Sequence, residues 1–520
     1  MTDLVAEVEG RVRPLETELS HTWWALNTHA SPDNERRRQE VELQLRDVLA
    51  DRELFERVDA AARQRPTDRA LGLIRAQMLP NQLDPDVRKR LVELETVVES
   101  RFNTHRGEID GAKVDDNRIA EILKTSDDAE LRRKAWEASK EVGARVADDV
   151  RELVRLRNEA ARELGAADHW TLSLQLSELD PDRLVQTLDE VARLTDAPFA
   201  EWKQEQDTQR VARFGLRTAA DLRPWHYDDP FFQEPPKLDG ADLDALVGED
   251  DPELLTVRTY DGLGIDIRDV LARSDLYGRD NKCQHAFCID MDRAGDVRVL
   301  CNIVANERWM ETMLHEFGHA AYDVSIDTTL PWFLHSPAHM LTTEAVAMLL
   351  GRLTRDARWW QQIKGLDPQA TRALDGPLAG GRRARALVFA RWALVMCTFE
   401  RSLYQDPDGD HDTRWWDLVE RYQGITRPDG RHAPDWAAKI HLAVAPVYYQ
   451  NYLYGELFAS QLQAALERDA GGLVNSAKAG AWLVDRVFRP GASLRWDHLV
   501  ESATGEPLTA RHFAAELQHA

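Results

Sequence analysis

The chain has 520 residues, and 66 lysines and arginines against 90 aspartates and glutamates leave it with a net charge of −24. That excess repels phosphate backbones and anionic headgroups, so neither a nucleic-acid partner nor a membrane surface is expected. With 43% hydrophobic and 30% charged residues, and no apolar run near the roughly 18 residues of a membrane span, the composition is that of a large globular protein in water.

The first twenty residues are acidic throughout and lack a basic start before an apolar stretch, so a cytoplasmic location is expected. The four cysteines, Cys283, Cys288, Cys301 and Cys397, form no CxxC pair and are expected to be thiols. From the amino terminus to about Leu174, charged residues alternate around periodic Leu, Val and Ala, which predicts long amphipathic helices. Ser126, followed by Asp127 and Asp128, reads as the cap of a helix that runs to Gly165. Residues 213–240 carry Pro224, Pro230, Pro235 and Pro236 around Trp225, His226, Tyr227, Phe231 and Phe232, which predicts a packed connection rather than a helix.

Sheet is expected at one place, a hairpin of residues 287–291 and 297–303 around the turn-forming run 292–296. Beyond it, Pro331, Pro337, the Gly376 to Gly381 run and 406–410 are read as punctuation between further helices.

Directly after the hairpin comes His315-Glu316-Phe317-Gly318-His319, an HExxH motif. Met310, Met313, Leu314, Phe317, Ala320 and Ala321 make one apolar stripe, and Glu311, Thr312, His315, Glu316, His319, Tyr322 and Asp323 the other face, so the motif belongs on a helix. Imidazoles at i and i+4 stack one turn apart and can share one Zn²⁺ ion, with Glu316 beside them as general base. The next predicted helix, 337–352, holds one acid, Glu344, whose helical neighbours are Met340, Leu341, Ala347 and Met348. A carboxylate among apolar neighbours needs a compensating cation, which makes Glu344 the third metal ligand; pairing with a buried arginine is the competing reading. Two His and one Glu leave a fourth position open, as catalytic zinc sites do. Downstream, Pro446 reads as a helix start with Tyr449 and Tyr452 on one face, either as oxyanion donors or as aromatic packing.

These residues resemble the peptidyl-dipeptidase family of angiotensin-converting enzyme and, more distantly, thimet oligopeptidases. The resemblance also takes in Ala135-Trp136-Glu137, Leu156, Asn158-Glu159-Ala160-Ala161 and Gly165, the stretch 283–286, Cys301, Lys439 and His441, and it spans about 126–465. It implies a mostly α fold, a single domain over 1–520 of two interleaved lobes enclosing a deep cleft, with a small β-hairpin beside the zinc helix and 1–110 as an N-terminal helical lid. It further implies zinc on His315, His319 and Glu344, with Glu316 as general base and then acid. Tyr452 matches the transition-state tyrosine, and His441 and His285 match histidines that bind substrate backbone. Ala286 would pair with an extended peptide, and Lys439 and Tyr449 would hold the C-terminal carboxylate.

Departures from the family pattern are a His441–Tyr452 interval one residue longer and Met348 in place of an acid one turn beyond the third ligand, for which Asp323 is a substitute if it is not simply a solvated helix end. Cys283 and Cys301 stand where the family has a disulfide. The expected activity is zinc-dependent hydrolysis of short peptides with release of C-terminal dipeptides. The alternatives are internal cleavage of the thimet type and, from a different class, a non-catalytic zinc- or peptide-binding protein, which the presence of Glu316 and all three ligands disfavours.

Overall fold

Aspartate at a helix boundary accepts otherwise orphaned backbone N–H groups, and this chain uses it there repeatedly. Asp51, Asp68, Asp84, Asp115, Asp168 and Asp180 each accept a backbone N–H in the first turn of the helix that follows. The computed structural model describes residues 2–236, 240–248 and 250–518, and it is mostly helical. No helix among the described residues is long and apolar enough to cross a membrane.

By backbone contacts the chain divides into two compact units, one of Met1–Gln82, Leu238–Ala379 and Tyr454–Phe513, the other of Leu83–Lys237, Gly380–Leu453 and Ala514–Ala520. The first begins with helices Thr2–Thr28, Pro32–Leu49, Arg52–Gln64 and Arg69–Met78. Val8, Val12, Leu45, Leu49, Leu54, Val58, Ile74 and Met78 bury one another together with Trp332 and Phe333. Its hairpin pairs Phe287–Asp290 with Val297–Leu300 in antiparallel register, Phe287 opposite Leu300, and is a little shorter than the sequence suggests. The Asp290 carboxylate closes the turn by accepting the N–H groups of Asp292 and Arg293.

The motif helix, Glu307–Val324, is capped by the Asn306 side chain on the Trp309 N–H. It lies so close to the helix Met340–Gly351 that a Cβ on Gly318 would sit 2.9 Å from the Ala347 Cα; only glycine fits. The Tyr260 hydroxyl donates to the Leu314 carbonyl at 2.8 Å and ties a third helix to this pair.

In the second unit the helix Ala129–Glu163 is central, and a Cβ on its Gly143 would come 2.4 Å from the Pro434 carbonyl oxygen, so glycine lets the turn leading to Lys439 pack against it. This helix is capped by Asp128, not Ser126; the Ser126 hydroxyl instead accepts the Asp128 N–H. Two consecutive acids offered a better-placed acceptor than the serine. Gly165, with φ +87, ends the segment as expected. The proline-rich connection is packed: Trp202 stacks on Phe232, and Tyr227 lies 4.6 Å from Phe232 between ring centroids.

Three sequence expectations need correction. A second strand pair, Gly107–Ile109 with Ala112–Val114, turns at Asp110-Gly111, a two-residue hairpin signal overshadowed by the helical text around it. The Gly376 to Gly381 run does not separate helices, since Pro368–Gln405 is continuous with Pro377 inside it. Pro446 does not open a helix; the helix begins at Tyr449, after Val447 has turned through a left-handed φ of +53°.

Candidate active site

The expected apolar stripe of the motif helix, Met310, Met313, Leu314, Phe317, Ala320 and Ala321, is buried throughout. Tyr322, expected on the polar face, is buried instead, its hydroxyl accepting the Ala338 N–H. The opposite face carries His315 and His319, their ring centroids 4.9 Å apart and nearly perpendicular. The helix Met340–Gly351 brings Glu344 to them: Oε2 lies 3.7 Å from His315 Nε2. One ligand atom from each of His315, His319 and Glu344 lies within 4.8 Å of the other two, a set that could hold one metal ion.

The Glu344 side chain is mostly buried, 13% exposed, with Leu341 and Ala347 fully buried beside it. Met340 is 49% exposed and Met348 half-buried, so this row forms the more open face of an otherwise buried helix. Such a face suits a ligand that must be reached by substrate. Gly455, from the helix Tyr449–Ala470, packs here, and a Cβ on it would lie 3.2 Å from Met348 Sδ and 3.3 Å from Glu344 Cβ.

The electrostatics fit a cation. Burial pushes the Glu344 carboxyl up to about 7, with the charge of Glu456 adding. Burial pushes Glu316 up to about 8, Glu344 adding and the Cys288 backbone N–H pulling the other way. Burial, with His315 beside it, holds the His319 imidazole well below its usual range, hence neutral, the form that binds metal. Two carboxyls raised by burial beside two imidazoles lack positive charge, and a divalent ion would supply it.

The bond that orients His319 comes from a residue the sequence reading passed over. The Thr343 hydroxyl lies 2.7 Å from His319 Nδ1, which leaves Nε2 for a metal. Thr343 immediately precedes Glu344, so one helix turn supplies both a ligand and the partner of another. Thr343→Val is expected to weaken zinc binding about 10- to 100-fold in chelator competition, whereas Thr343→Ser keeps it near wild type. Asp323 sits on no solvated end: it is half-buried, and burial together with facing Asp290 drives its carboxyl well above the usual range.

Cys288 donates its backbone N–H to Glu316, so this edge of the strand Phe287–Asp290 faces the motif helix. Ala286 stands immediately before this strand and is half-buried. His285 is exposed, and its carbonyl accepts from the Cys283 thiol at 3.8 Å. All four cysteines are unpaired.

The remaining candidates gather in the second unit. Lys439 Nζ donates to Gln233 Oε1 at 2.7 Å and lies 5.1 Å from the Trp392 ring centre, 5.4 Å from Phe231 and 5.8 Å from Tyr449. Trp392 Nε1 donates to the Tyr449 hydroxyl at 3.0 Å, which leaves the phenolic hydrogen for another acceptor. Burial lowers Lys439 to about 8, with Asp229 and Glu234 pulling it back up. Ring centroids of His441 and Tyr449 are 5.1 Å apart, and those of Tyr449 and Tyr452 5.6 Å. His441 is pushed down to about 4 by burial and by Lys439, so it is neutral. Its Nδ1 is buried with no partner among the described residues. A lone pair is less costly there than an N–H, so the proton belongs on Nε2. Gln233 and Trp392 were not foreseen; the packed aromatic connection was the one available hint to the former.

Two family models match the chain: Peptidase family M3 over residues 271–519, and angiotensin-converting enzyme (Peptidase M2) over residues 2–196. Both families named by the sequence resemblance are thus represented, in different parts of the chain. All the sequence-predicted site residues, from His285 to Tyr452, fall within the M3 match, whereas Gln233 lies outside both.

Proposed function

We propose, from the premise that this chain is a zinc metallopeptidase acting on peptides through a single zinc ion, that it releases dipeptides from the C-terminus of short peptides. The observation that carries this reading is the cluster of Lys439, Gln233 and Tyr449, in which a buried ammonium, an amide and a phenol with its hydrogen to spare meet. A carboxylate is the ligand such a trio suits, because charge-assisted bonds in a desolvated place are strong.

In this reading His315, His319 and Glu344 hold the ion. When bound, zinc supplies Lewis acidity to the scissile carbonyl. Glu316 takes the proton of the attacking water and passes it to the leaving amine. Tyr452 and the Nε2–H of neutral His441 donate to the substrate's carbonyl oxygens, a role worth roughly 3 to 4 kcal/mol per well-aimed donor. The backbone at Ala286, with His285 beside it, pairs with the extended peptide backbone. The lid role of residues 1–110, a cleft between two lobes and a cytoplasmic location belong to the same proposal; truncation of the amino-terminal helices and cell fractionation test them.

Internal cleavage of the thimet type is the second reading, favoured by the M3 match over the zinc-site residues. Mass spectra of the products from one nonapeptide, as free acid and as C-terminal amide, separate the two. A dipeptide as first product from the free acid, with the amide poorly cut, supports dipeptide release; equal internal cuts in both support the alternative. The anchor also has a pH signature. Loss of the Lys439 proton above about 8 removes the charge a carboxylate needs, so KM for free-acid peptides is expected to rise about tenfold per pH unit there, while KM for amides stays flat.

A further inference from the structure

The segment between His441 and Tyr449 is short, and its own backbone bonds lie at its start, where the Ala443 and Val444 N–H groups meet the Ile440 carbonyl and the Ala445 N–H the His441 carbonyl. His441 opens a single helical turn, His441–Val444, whose last carbonyls have no helical partners. Val447 then adopts a left-handed φ of +53°, which a β-branched residue resists. Two buried charged side chains hold this segment from outside.

Arg157, 3% exposed on the helix Ala129–Glu163, donates from Nη1 to the Leu442 carbonyl at 3.2 Å and from Nη2 to the Ala443 carbonyl. The same guanidinium is fixed by Glu95 Oε1 at 2.7 Å and the Tyr404 hydroxyl at 3.2 Å. Glu400, also 3% exposed and one turn before Tyr404 on the helix Pro368–Gln405, accepts the Val447 N–H at 2.8 Å. Gln450 Nε2 holds the Val447 carbonyl at 2.5 Å. Burial raises the Glu400 carboxyl, and the Val447 N–H and the charge of Arg157 both pull it back down, so the two side chains act within reach of each other.

We propose that Arg157 and Glu400 are positioning residues for the reaction: one grips the backbone just after His441, the other the left-handed residue just before Tyr449, and together they set where those two side chains present their donors. The proposal rests on the reading of His441 and Tyr449 as substrate-binding groups. Leu442 and Ala443 follow His441 by one and two residues, and Val447 precedes Tyr449 by two, so either grip is separated from its donor by at most two rotatable residues. An Arg157–Glu95 ion pair kept only for stability would not need the guanidinium to reach the Leu442 and Ala443 carbonyls as well.

The test compares Glu400→Ala with Glu400→Gln, whose amide oxygen can still accept the Val447 N–H, so that a variant that folds poorly does not decide the matter. Hydrogen exchange of 442–450 is read alongside kinetics on a free-acid peptide and its amide. Glu400→Ala is expected to speed exchange in 442–450 and to lower kcat/KM on the free acid about 10²-fold, as a misplaced donor does, with zinc content unchanged. Glu400→Gln should recover most of both. Unchanged exchange in Glu400→Ala, or no recovery in Glu400→Gln, overturns the grip. Faster exchange with unchanged kinetics overturns its role in the reaction. His441→Gln, run in parallel, distinguishes the failures: if it also leaves turnover intact, the reading of His441 has failed rather than the positioning.

Discussion

Replacing Glu316 by Gln is expected to reduce peptide turnover by about 10³-fold, the scale of a lost general acid–base, while zinc content stays at one per chain. The side chain is 8% exposed, follows the first motif histidine, and accepts the Cys288 N–H, so the isosteric amide can keep the packing and lose only the ability to take a proton. Burial already makes the carboxyl reluctant to carry charge, so the neutral amide costs the fold little. Turnover and zinc content measured on the same preparation check this. Activity within tenfold of wild type would remove Glu316 from the reaction.

The second large effect is expected from Glu344→Ala. Its carboxylate oxygen, 3.7 Å from His315 Nε2, completes the set of three ligand atoms. Without it two imidazoles remain, and zinc affinity should fall by well more than the ~100-fold that losing an outer partner costs. Relieving a buried carboxyl of its desolvation should also leave the metal-free protein no less stable, and thermal melting in chelator reads that separately. Full zinc retention in this variant would place the third ligand elsewhere.

The parts of the site that could be read in the sequence were those carried by local spacing. HExxH is periodic within one helix, and Glu344 is the one acid of the following helix, so both emerged without any long-range contact. Glu344 is mostly buried, as its neighbours Leu341 and Ala347 imply, although Met340 one turn earlier is exposed. Thr343 escaped notice since a hydroxyl next to a carboxylate has no spacing signature; its role appears only when Gly318 lets two helices approach. Gln233 and Lys439 are 206 residues apart, a pairing that no periodicity encodes.

Errors in the fold share a cause. Glycine and proline were read as breaks at Gly376 to Gly381, yet a helix with room around Gly376 and Gly380 tolerates them. Asp-Gly at 110–111 was a true turn signal masked by helical neighbours. Asp323 reads as a solvated terminus because it lies in the last turn of the motif helix, but it is half-buried and near enough to Asp290 for the two charges to oppose each other.

The central claim is that His315, His319 and Glu344 share one ion, and anomalous diffraction at the zinc edge tests it most directly. A single peak is expected at roughly 2.0 to 2.2 Å from a nitrogen of each imidazole and an oxygen of Glu344. A peak bound by other side chains, or one that leaves Glu344 outside coordination distance, would contradict it.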